Sequence, residues 1–319
     1  MQTTIVIVTS GIESSLILLR GGMIHKNIKD LQNNYQIIIV ENSNNINFKR
    51  KIEKSYRNIK CYLTGSNIGY ARANNIGLRK VKTKFALVIN PDVIISSKQV
   101  KQIENIAKKI IKFSVLTPNS NGLLETITNN SDKLSNIEKK DLKSLRNDIL
   151  IKNFFEINFV PGYCMFFNMK DVKKINFFDE NIFLYFEDLD ICKRLKDLKK
   201  KFFLLSKIKI HHLYGGFHEK KTHYGKRHIL KKKSFRKWQL RWTDRNWHLY
   251  WSSFYYHRKH YGFIKSFKVH FSKLLRFFFL KNFYFLMNNK NLYYLFKARS
   301  EGLIYQILNK SAFSGPKIN

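Results

Sequence analysis

Between Phe183 and Leu195 the chain reads FLYFEDLDICKRL, and three carboxylates, Glu187, Asp188 and Asp190, fall within four positions. A carboxylate held in a defined geometry can take a proton from an attacking hydroxyl, which is the work of a general base. A helix starting near Glu187 would put Glu187 and Asp190 on one face and turn Asp188 about 100° away. The stretch also reads as an ordinary helix start. Acids in a first turn suit the helix dipole, and Asp190 has Arg194 at i,i+4. On these residues alone both readings stand.

Three further groups carry chemistry. Asn90-Pro91-Asp92-Val93 follows the apolar run Phe85–Ile89. An Asp just past a strand end, with a proline setting the turn, can coordinate a divalent cation that bridges two phosphates, although Asn-Pro-Asp is also common turn chemistry. His211 and His212 open the run HHLYGGF beside Gly215-Gly216 and are candidates for a metal or a phosphate. Gly65–Leu78 reads GSNIGYARANNIGL; its glycine spacing matches neither a P-loop nor a dinucleotide fingerprint. Arg72, Asn74 and Asn75 near a helix start there suggest a diphosphate cradle.

The elements that must position these groups are legible as periodic runs. Thr4–Val8 and Ile37–Val40 are continuous β-branched stretches, read as buried parallel strands. Thr9-Ser10-Gly11 forms a polar turn after the first, and a helix is expected from Ser14–Leu19. The second stops at Glu41 and an Asn-rich loop. Glu41 is either a loop acid serving solubility or a group that contacts a base or ribose at the carboxyl end of a strand. Further strands are expected at Cys61–Leu63, Phe85–Ile89, Cys164–Phe167, Phe202–Leu205 and Ile208–Ile210. A basic amphipathic helix is expected at Val100–Ile111, and a surface excursion over Asn119–Asn153. Strand, helix, strand with polar loops at the carboxyl ends makes a βαβ unit and predicts an α/β fold.

The chain has 319 residues and a net charge of +37 from 59 Lys and Arg against 22 Asp and Glu. That field favours polyanionic partners: nucleic acid, an anionic membrane surface or phosphorylated substrates. A 44% hydrophobic and 15% aromatic composition excludes a disordered basic tail. Cys61, Cys164 and Cys192 are widely spaced and odd in number, so neither a disulfide framework nor a zinc knuckle is expected, and reduced thiols fit a cytosolic setting. The N-terminal MQTTIVIVTSGIESS reads as a first strand, not a signal peptide, and no run of about eighteen apolar residues predicts a membrane span. From Phe217 the composition turns basic and aromatic. Within Val269–Met287, His270, Lys273, Arg276 and Lys281 fall on roughly one side of a helix, with Phe and Leu filling the remainder. Such a helix can lie in a membrane interface, stack on single-stranded nucleic acid, or pack on the core.

In order, TIVIVTSG, VENSNN, NIGYARANNIG, INPDV, VPGYCMFF, FDENIFLYFEDLDICKRL and HHLYGGF resemble the family 2 glycosyltransferases of GT-A fold, most closely the rhamnosyltransferase-like branch. The resemblance spans about the first two-thirds of the chain. It implies a Rossmann-like, mixed but mostly parallel sheet flanked by helices, within a nucleotide-sugar-binding and catalytic domain over 1–216. A basic, mainly helical region over 217–319 would contact the acceptor or a membrane surface. It further implies inverting transfer of a sugar, such as rhamnose or another hexose, from a nucleoside-diphosphate donor to a hydroxyl of a lipid-linked or polysaccharide acceptor in cell-surface glycan synthesis. The divalent cation would be Mg or Mn. By resemblance Asp188 is the catalytic base, with Glu187, Asp190 and Gly162 supporting it or the acceptor. Thr9, Ser10, Glu41, Asn67, Gly69, Asn74, Asp92 and His212 bind donor; Asp92 and His212, or His211 in its place, hold the metal. The sequence departs from the family in carrying Glu41 for the usual Asp and a single carboxylate in NPD where the DXD motif has two. A peripheral location on the inner face of the cytoplasmic membrane is the expected setting. A nucleic-acid-binding protein and an inactive GT-A scaffold are the competing expectations.

Overall fold

The computed structural model describes residues 1–10, 23–56, 58–110, 112–120, 154–212 and 232–316. They form two compact units, one from Met1–Ser66, Ala73–Phe178 and Ile191–His218, the other from Asn67–Arg72, Asp179–Asp190 and Glu219–Asn319.

In the first unit, β1 (Thr3–Thr9), β2 (Gln36–Glu41), β3 (Ile59–Leu63) and β4 (Phe85–Ile89) are parallel neighbours in the spatial order β3-β2-β1-β4. Helices α1 (Met23–Leu31), α2 (Ile46–Ser55) and α3 (Tyr70–Lys80) alternate with them. The β-branched runs are buried along their length, as expected of parallel strands covered on both faces. Beyond β4 the sheet becomes mixed. β8 (Cys164–Asn168) is antiparallel to both β4 and β6 (Val115–Ser120), while β9 (Phe202–His212) is parallel to β6. The short strands β5 (Val93–Ile94) and β7 (Phe155–Ile157) both pair antiparallel to β9. The remaining helices of this part of the chain are α4 (Ser97–Lys109), α5 (Met169–Lys174) and α6 (Glu187–Asp197). The core runs through Ile5, Ile39, Phe85, Leu87, Phe166 and Ile210.

Several local expectations change. The strands expected at Phe202–Leu205 and Ile208–Ile210 are one, because Ser206, Ile208 and Ile210 bury alternately with exposed Lys207 and Lys209. The intervening polar pair therefore follows the period-2 pattern without breaking it. Against β6 the register shifts at this point: Pro118 is opposite Leu205 and Asn119 opposite Lys209, so Ser206–Ile208 are the extra residues, on β9. Asn119 and Ser120 are buried in β6, so the excursion does not begin there. Helix α4 starts before Val100 because Ser96 and Gln99 form a capping box, with Gln99 Oε1 accepting from Ser96 N at 2.7 Å. The helix expected at Ser14–Leu19, the excursion from residue 121 to 153, and Gly215-Gly216 lie outside the described residues.

The second unit is helical: α7 (Lys232–Tyr261), α8 (Phe263–Leu286) and α9 (Lys290–Ile307), then a 3-10 turn at Ala312–Ser314. Gly262, at φ 84°, makes the corner between α7 and α8, a backbone state that costs glycine little. Phe183, Trp247, Trp251, Ala298 and Ala312 form one core cluster, and Phe254, Phe277 and Leu303 a second. Trp251 Nε1 donates to Lys310 O at 3.0 Å. The one-sided basic helix expected at Val269–Met287 is corrected here. α8 buries His270, whose Nε2 meets Ser253 Oγ at 2.9 Å, so that ring is core and not part of a cationic face.

Helix α9 crosses α7 at Gly302, where a Cβ would run into the Trp247 carbonyl. Gly302→Ala gains about 1 kcal/mol of helix propensity, but overpacking against backbone costs about 1–3 kcal/mol and wins. Thermal unfolding of Gly302→Ala is expected at a lower midpoint than wild type; an unchanged or higher midpoint would show that the two helices can separate freely there.

Candidate active site

The carboxyl ends of β1, β2 and β4 finish on one edge because β1 pairs in step with both neighbours. Thr9 lies opposite Glu41, and Ile7 opposite Ile89. The strand order reverses around β1 there, the place where open α/β sheets bind ligands. Thr9 Oγ1 donates to Glu41 Oε2 at 2.5 Å, and the Ser43 hydroxyl donates to Glu41 Oε1. Glu41 is fully buried and ends β2, so it is not a solubilising loop acid. Ser10 is exposed just beyond Thr9. Asn74 is buried on α3, the helix that Gly77 lets approach β1: a Cβ there would stand 2.5 Å from Val6 Cγ1. Asn75 is spent on structure, donating to Phe178 O and accepting from Phe178 N, each at 3.0 Å.

Asp92 and His212 come together across a strand pairing. Val93 is registered with His212 and Ile94 with His211, which sets His212 Nε2 3.4 Å from Asp92 Oδ1. The His212 ring stacks on Tyr163 at 4.2 Å, and the Tyr163 hydroxyl bonds that of Ser120. Asn90 N donates to Tyr163 O at 2.9 Å, tying the turn to the segment that carries Gly162. His211 alternates to the exposed side. Asn27, from α1, was not singled out in the sequence, yet its buried amide clamps β5. Nδ2 donates to Val93 O at 2.5 Å, and Ile95 N donates to Oδ1 at 3.1 Å. Nothing in the local sequence marks a lone helical asparagine for that task.

Among the described residues no group of three or more His, Cys, Asp or Glu is arranged around a common point. Asp92 and His212 do fit a smaller role. Two donors in adjacent positions on one Mg2+ or Mn2+, each about 2.0–2.1 Å from the ion, stand about 3 Å apart. The 3.4 Å separation of the pair is close to that spacing, so the two side chains fit as two ligands of one such ion.

In the second unit the three carboxylates of the opening stretch have three different environments. Tyr185 and Phe186 hold φ values of 66° and 68°, a left-handed pair that is strained for aromatic residues, and α6 starts at the next residue. Phe186 O accepts from Asp190 N at 2.8 Å. Asp190 is fully buried, with Lys259 Nζ at 2.6 Å and His260 Nε2 at 2.8 Å. Lys259 also reaches Asp179 at 2.7 Å, and Tyr255 donates to Asp179 at 2.9 Å. Burial acts to raise the Asp179 carboxyl, but Lys259, the Asn181 amide and Tyr255 outweigh it and hold it below the ordinary carboxylate value. Asp188 is half-buried, and its Oδ1 accepts from Leu189 N at 2.8 Å. Glu187 is only 8% exposed, and its Oε2 has no hydrogen-bond partner among the described residues. Burial first, and then the Asp188 charge, push its carboxyl up to about 8. At neutral pH Glu187 is therefore largely protonated.

Asn67 and Gly69 shape the same unit. Asn67 Oδ1 accepts from Gly69 N at 3.1 Å, and Tyr70 N donates to Phe183 O at 2.8 Å. Gly69 has φ +86°, and a Cβ there would stand 2.5 Å from Phe183 O. Both constraints demand glycine. Arg72 does not serve a diphosphate cradle: its guanidinium lies 3.5 Å over the Phe313 ring and donates to Glu180 O at 2.9 Å.

Residues 20–175 match the family model described as Glycosyl transferase family 2. This stretch is a family 2 glycosyltransferase domain. The chain is a glycosyltransferase, and two curated relatives agree. It is 25% identical over 235 residues to the rhamnosyltransferase WbbL of Escherichia coli K12, covering 69% of this chain and 84% of that protein. It is 22% identical over 191 residues to the low-salt glycan biosynthesis hexosyltransferase Agl10 of Haloferax volcanii, covering 54% of this chain and 59% of the relative. Among solved structures, the mannosyltransferase PcManGT from Pyrobaculum calidifontis, in complex with GDP-Man and Mn2+, superposes with a TM-score of 0.51. That match is 8% identical and covers 97% of this chain and 88% of that one. GalNAc-T7 with UDP, GalNAc and Mn2+ gives 0.50 at 11% identity, over 66% of this chain and 43% of that one. At these identities the likeness shows the GT-A fold. The family 2 match ends before Asp188 and His212, so their roles rest on residue chemistry and on resemblance.

Two measurements test this account. Asn27→Ala leaves the buried Val93 carbonyl and Ile95 amide unpaired, at about 1–3 kcal/mol each. It should lower the unfolding midpoint, with Asn27→Asp in between because it keeps the acceptor; equal midpoints for all three would dispose of the clamp. For Glu187, the folded state keeps a proton that the unfolded chain releases near its ordinary 4.5. The contribution is therefore fully present below about 4.5 and is lost as pH rises through about 8. Glu187→Gln removes that loss. Relative to wild type, the variant should gain on the order of 2–4 kcal/mol of stability between pH 4 and pH 9. A pH-independent difference between the two would mean that the Glu187 carboxyl ionises as it does in water.

Proposed function

We propose that this family 2 glycosyltransferase moves a sugar, with inversion, from a nucleoside-diphosphate donor to a hydroxyl of a lipid-linked or polysaccharide acceptor in cell-surface glycan synthesis. The names of the two curated relatives support rhamnose or another hexose as the sugar. The observation that carries the reading is the Asp92–His212 pair at the carboxyl end of the sheet, 3.4 Å apart, in a chain with a family 2 domain. Asp92 and His212 would hold a Mg or Mn ion, which when bound supplies positive charge to the departing diphosphate. Thr9, Ser10, Glu41 and Asn74 would take the nucleoside and its ribose, with Asn67 and Gly69 shaping the donor pocket and Gly162 the acceptor side.

Asp188 is the base in this scheme. As the acceptor oxygen forms its bond to the anomeric carbon, the bond from that carbon to the diphosphate breaks. The diphosphate leaves with the electron pair, and the acceptor proton passes to the Asp188 carboxylate. Glu187 supports this role by its protonation. A second full charge beside Asp188 would raise the Asp188 pKa and fill the base with a proton before the reaction. Asp190, locked by Lys259 and His260, anchors the turn that presents Asp188.

The region over 217–319 is proposed as the acceptor or membrane-surface contact, with the protein peripheral on the inner face of the cytoplasmic membrane. Among the described residues no helix is long and apolar enough to cross a membrane.

The test is Asp188→Asn with the donor found by thermal stabilisation across a panel of nucleotide sugars with Mn2+. Transfer should fall about 10²–10⁴-fold, while stabilisation by the donor stays within a few-fold of wild type. A folded variant that transfers at the wild-type rate would remove Asp188 as base.

A further inference from the structure

Helix α8 shows which of its faces is free, because its other face is accounted for. Ser266, His270, Leu274, Phe277 and Tyr284, spaced by four, four, three and seven residues, make contacts inside the unit. Ser266 Oγ donates to Phe254 O at 3.0 Å, and His270 Nε2 meets Ser253 Oγ at 2.9 Å. Phe277 packs edge-on to Tyr250 at 4.7 Å, and Tyr284 stacks on Phe296 at 5.7 Å. Burial, above all, pushes the His270 imidazole down to about 4, so this inner stripe is neutral.

The outward face is the unusual one. Ten of the 24 residues of α8 are large apolar side chains left exposed. Ile264, Phe271, Leu275, Phe278, Phe279 and Leu286 fall within a sector roughly 100° wide, with Phe279 at 68% and Leu286 at 82% exposure. Soluble surfaces scatter such residues singly; six along one helix face, interrupted only by Lys268 and Asn282, mark a contact. Cations border it. Lys265 and Arg276 lie along one edge, and Lys281 along the other with its ammonium 4.7 Å over the Phe278 ring. No Asp or Glu occurs between Asp244 and Glu301. A second copy of this helix would meet it with like charges, which disfavours pairing of the chain with itself. An anionic lipid surface offers both what the stripe needs and what the cations need.

We propose that α8 is an in-plane membrane helix. Its Ile264–Leu286 stripe enters the acyl boundary of a leaflet bearing anionic headgroups, and Lys265, Arg276 and Lys281 engage those headgroups. This deepens the membrane contact proposed above and rests on that part of it. It also replaces purely electrostatic docking with apolar insertion, which differs in its response to salt.

Flotation of the full chain tests it without donor or acceptor, so failure of the proposed reaction and failure of insertion are read separately. The probes are phosphatidylcholine vesicles with and without phosphatidylglycerol, at about 0.1 M and about 1 M salt, where the Debye length drops from about 10 to about 3 Å. Wild type should float preferentially with the phosphatidylglycerol vesicles, and a substantial fraction should stay bound at the higher salt. Phe278→Asp/Phe279→Asp alters only exposed positions and should cut the bound fraction at least about tenfold at both salts, with an unchanged circular dichroism spectrum and unfolding midpoint. Lys265→Gln/Arg276→Gln should lose only the salt-sensitive part. The proposal fails if the Asp double variant floats like wild type, or if wild type is fully released at the higher salt. It fails equally if wild type ignores vesicles and the double variant converts an oligomer into a monomer, which would assign the stripe to a second copy.

Discussion

The register of β1 against β2 and β4 is the constraint on which the sheet edge carrying Thr9 and Glu41 depends. Because Thr9 stands opposite Glu41 and Ile7 opposite Ile89, three strand ends deliver their polar residues to one edge. A slip of one residue would exchange the faces of a strand that is buried on both sides and pull Thr9 away from the Glu41 carboxylate it caps. The same logic extends to the far side of the sheet. β9 continues past its pairing with β6 until His212 meets Val93, and a histidine 120 positions from Asp92 in the chain becomes its neighbour.

The carboxylates of α6 show how one short run acquires separate duties from environment alone. Glu187 is buried with one unpaired oxygen and favours its proton. Asp190 is buried but met by a lysine and a histidine, so its charge is compensated. Asp188, between them, is half-buried and keeps part of its surface open to solvent. The strained Tyr185-Phe186 pair sets the helix start that separates the three directions. Strain of that kind persists only where surrounding contacts over-determine the backbone, and here the Tyr255, Lys259 and His260 contacts to Asp179 and Asp190 supply them.

The helical unit divides its aromatic residues between two purposes. Trp247, Trp251, Phe254 and Phe277 are buried and hold α7, α8 and α9 together, with Gly302 allowing the closest approach. Of the outward phenylalanines of α8, Phe263 and Phe285 touch α7 and α9, whereas Phe271 and Phe279 lie against rings of α8 itself. Their cost in water is tolerable only where another apolar phase is at hand.

By itself the sequence determined the buried β-branched strands, the helix start near Glu187 and the family motifs, because each is a local pattern: β-branched runs, a cluster of acids in a first turn, short motifs in a fixed order. It also placed Asp92 and His212 at strand ends. Only the tertiary structure showed that His212 and not His211 faces Asp92, since strand alternation exposes one and turns the other inward. It alone showed that Glu41 is buried, that Arg72 and Asn75 serve packing, and that Asn27 clamps β5. It moved His270 from a basic face into the core and left a stripe of phenylalanines outside. These outcomes depend on which residues become neighbours across long stretches of chain. Burial and proton affinity follow from those neighbours, and no periodicity within a segment encodes them.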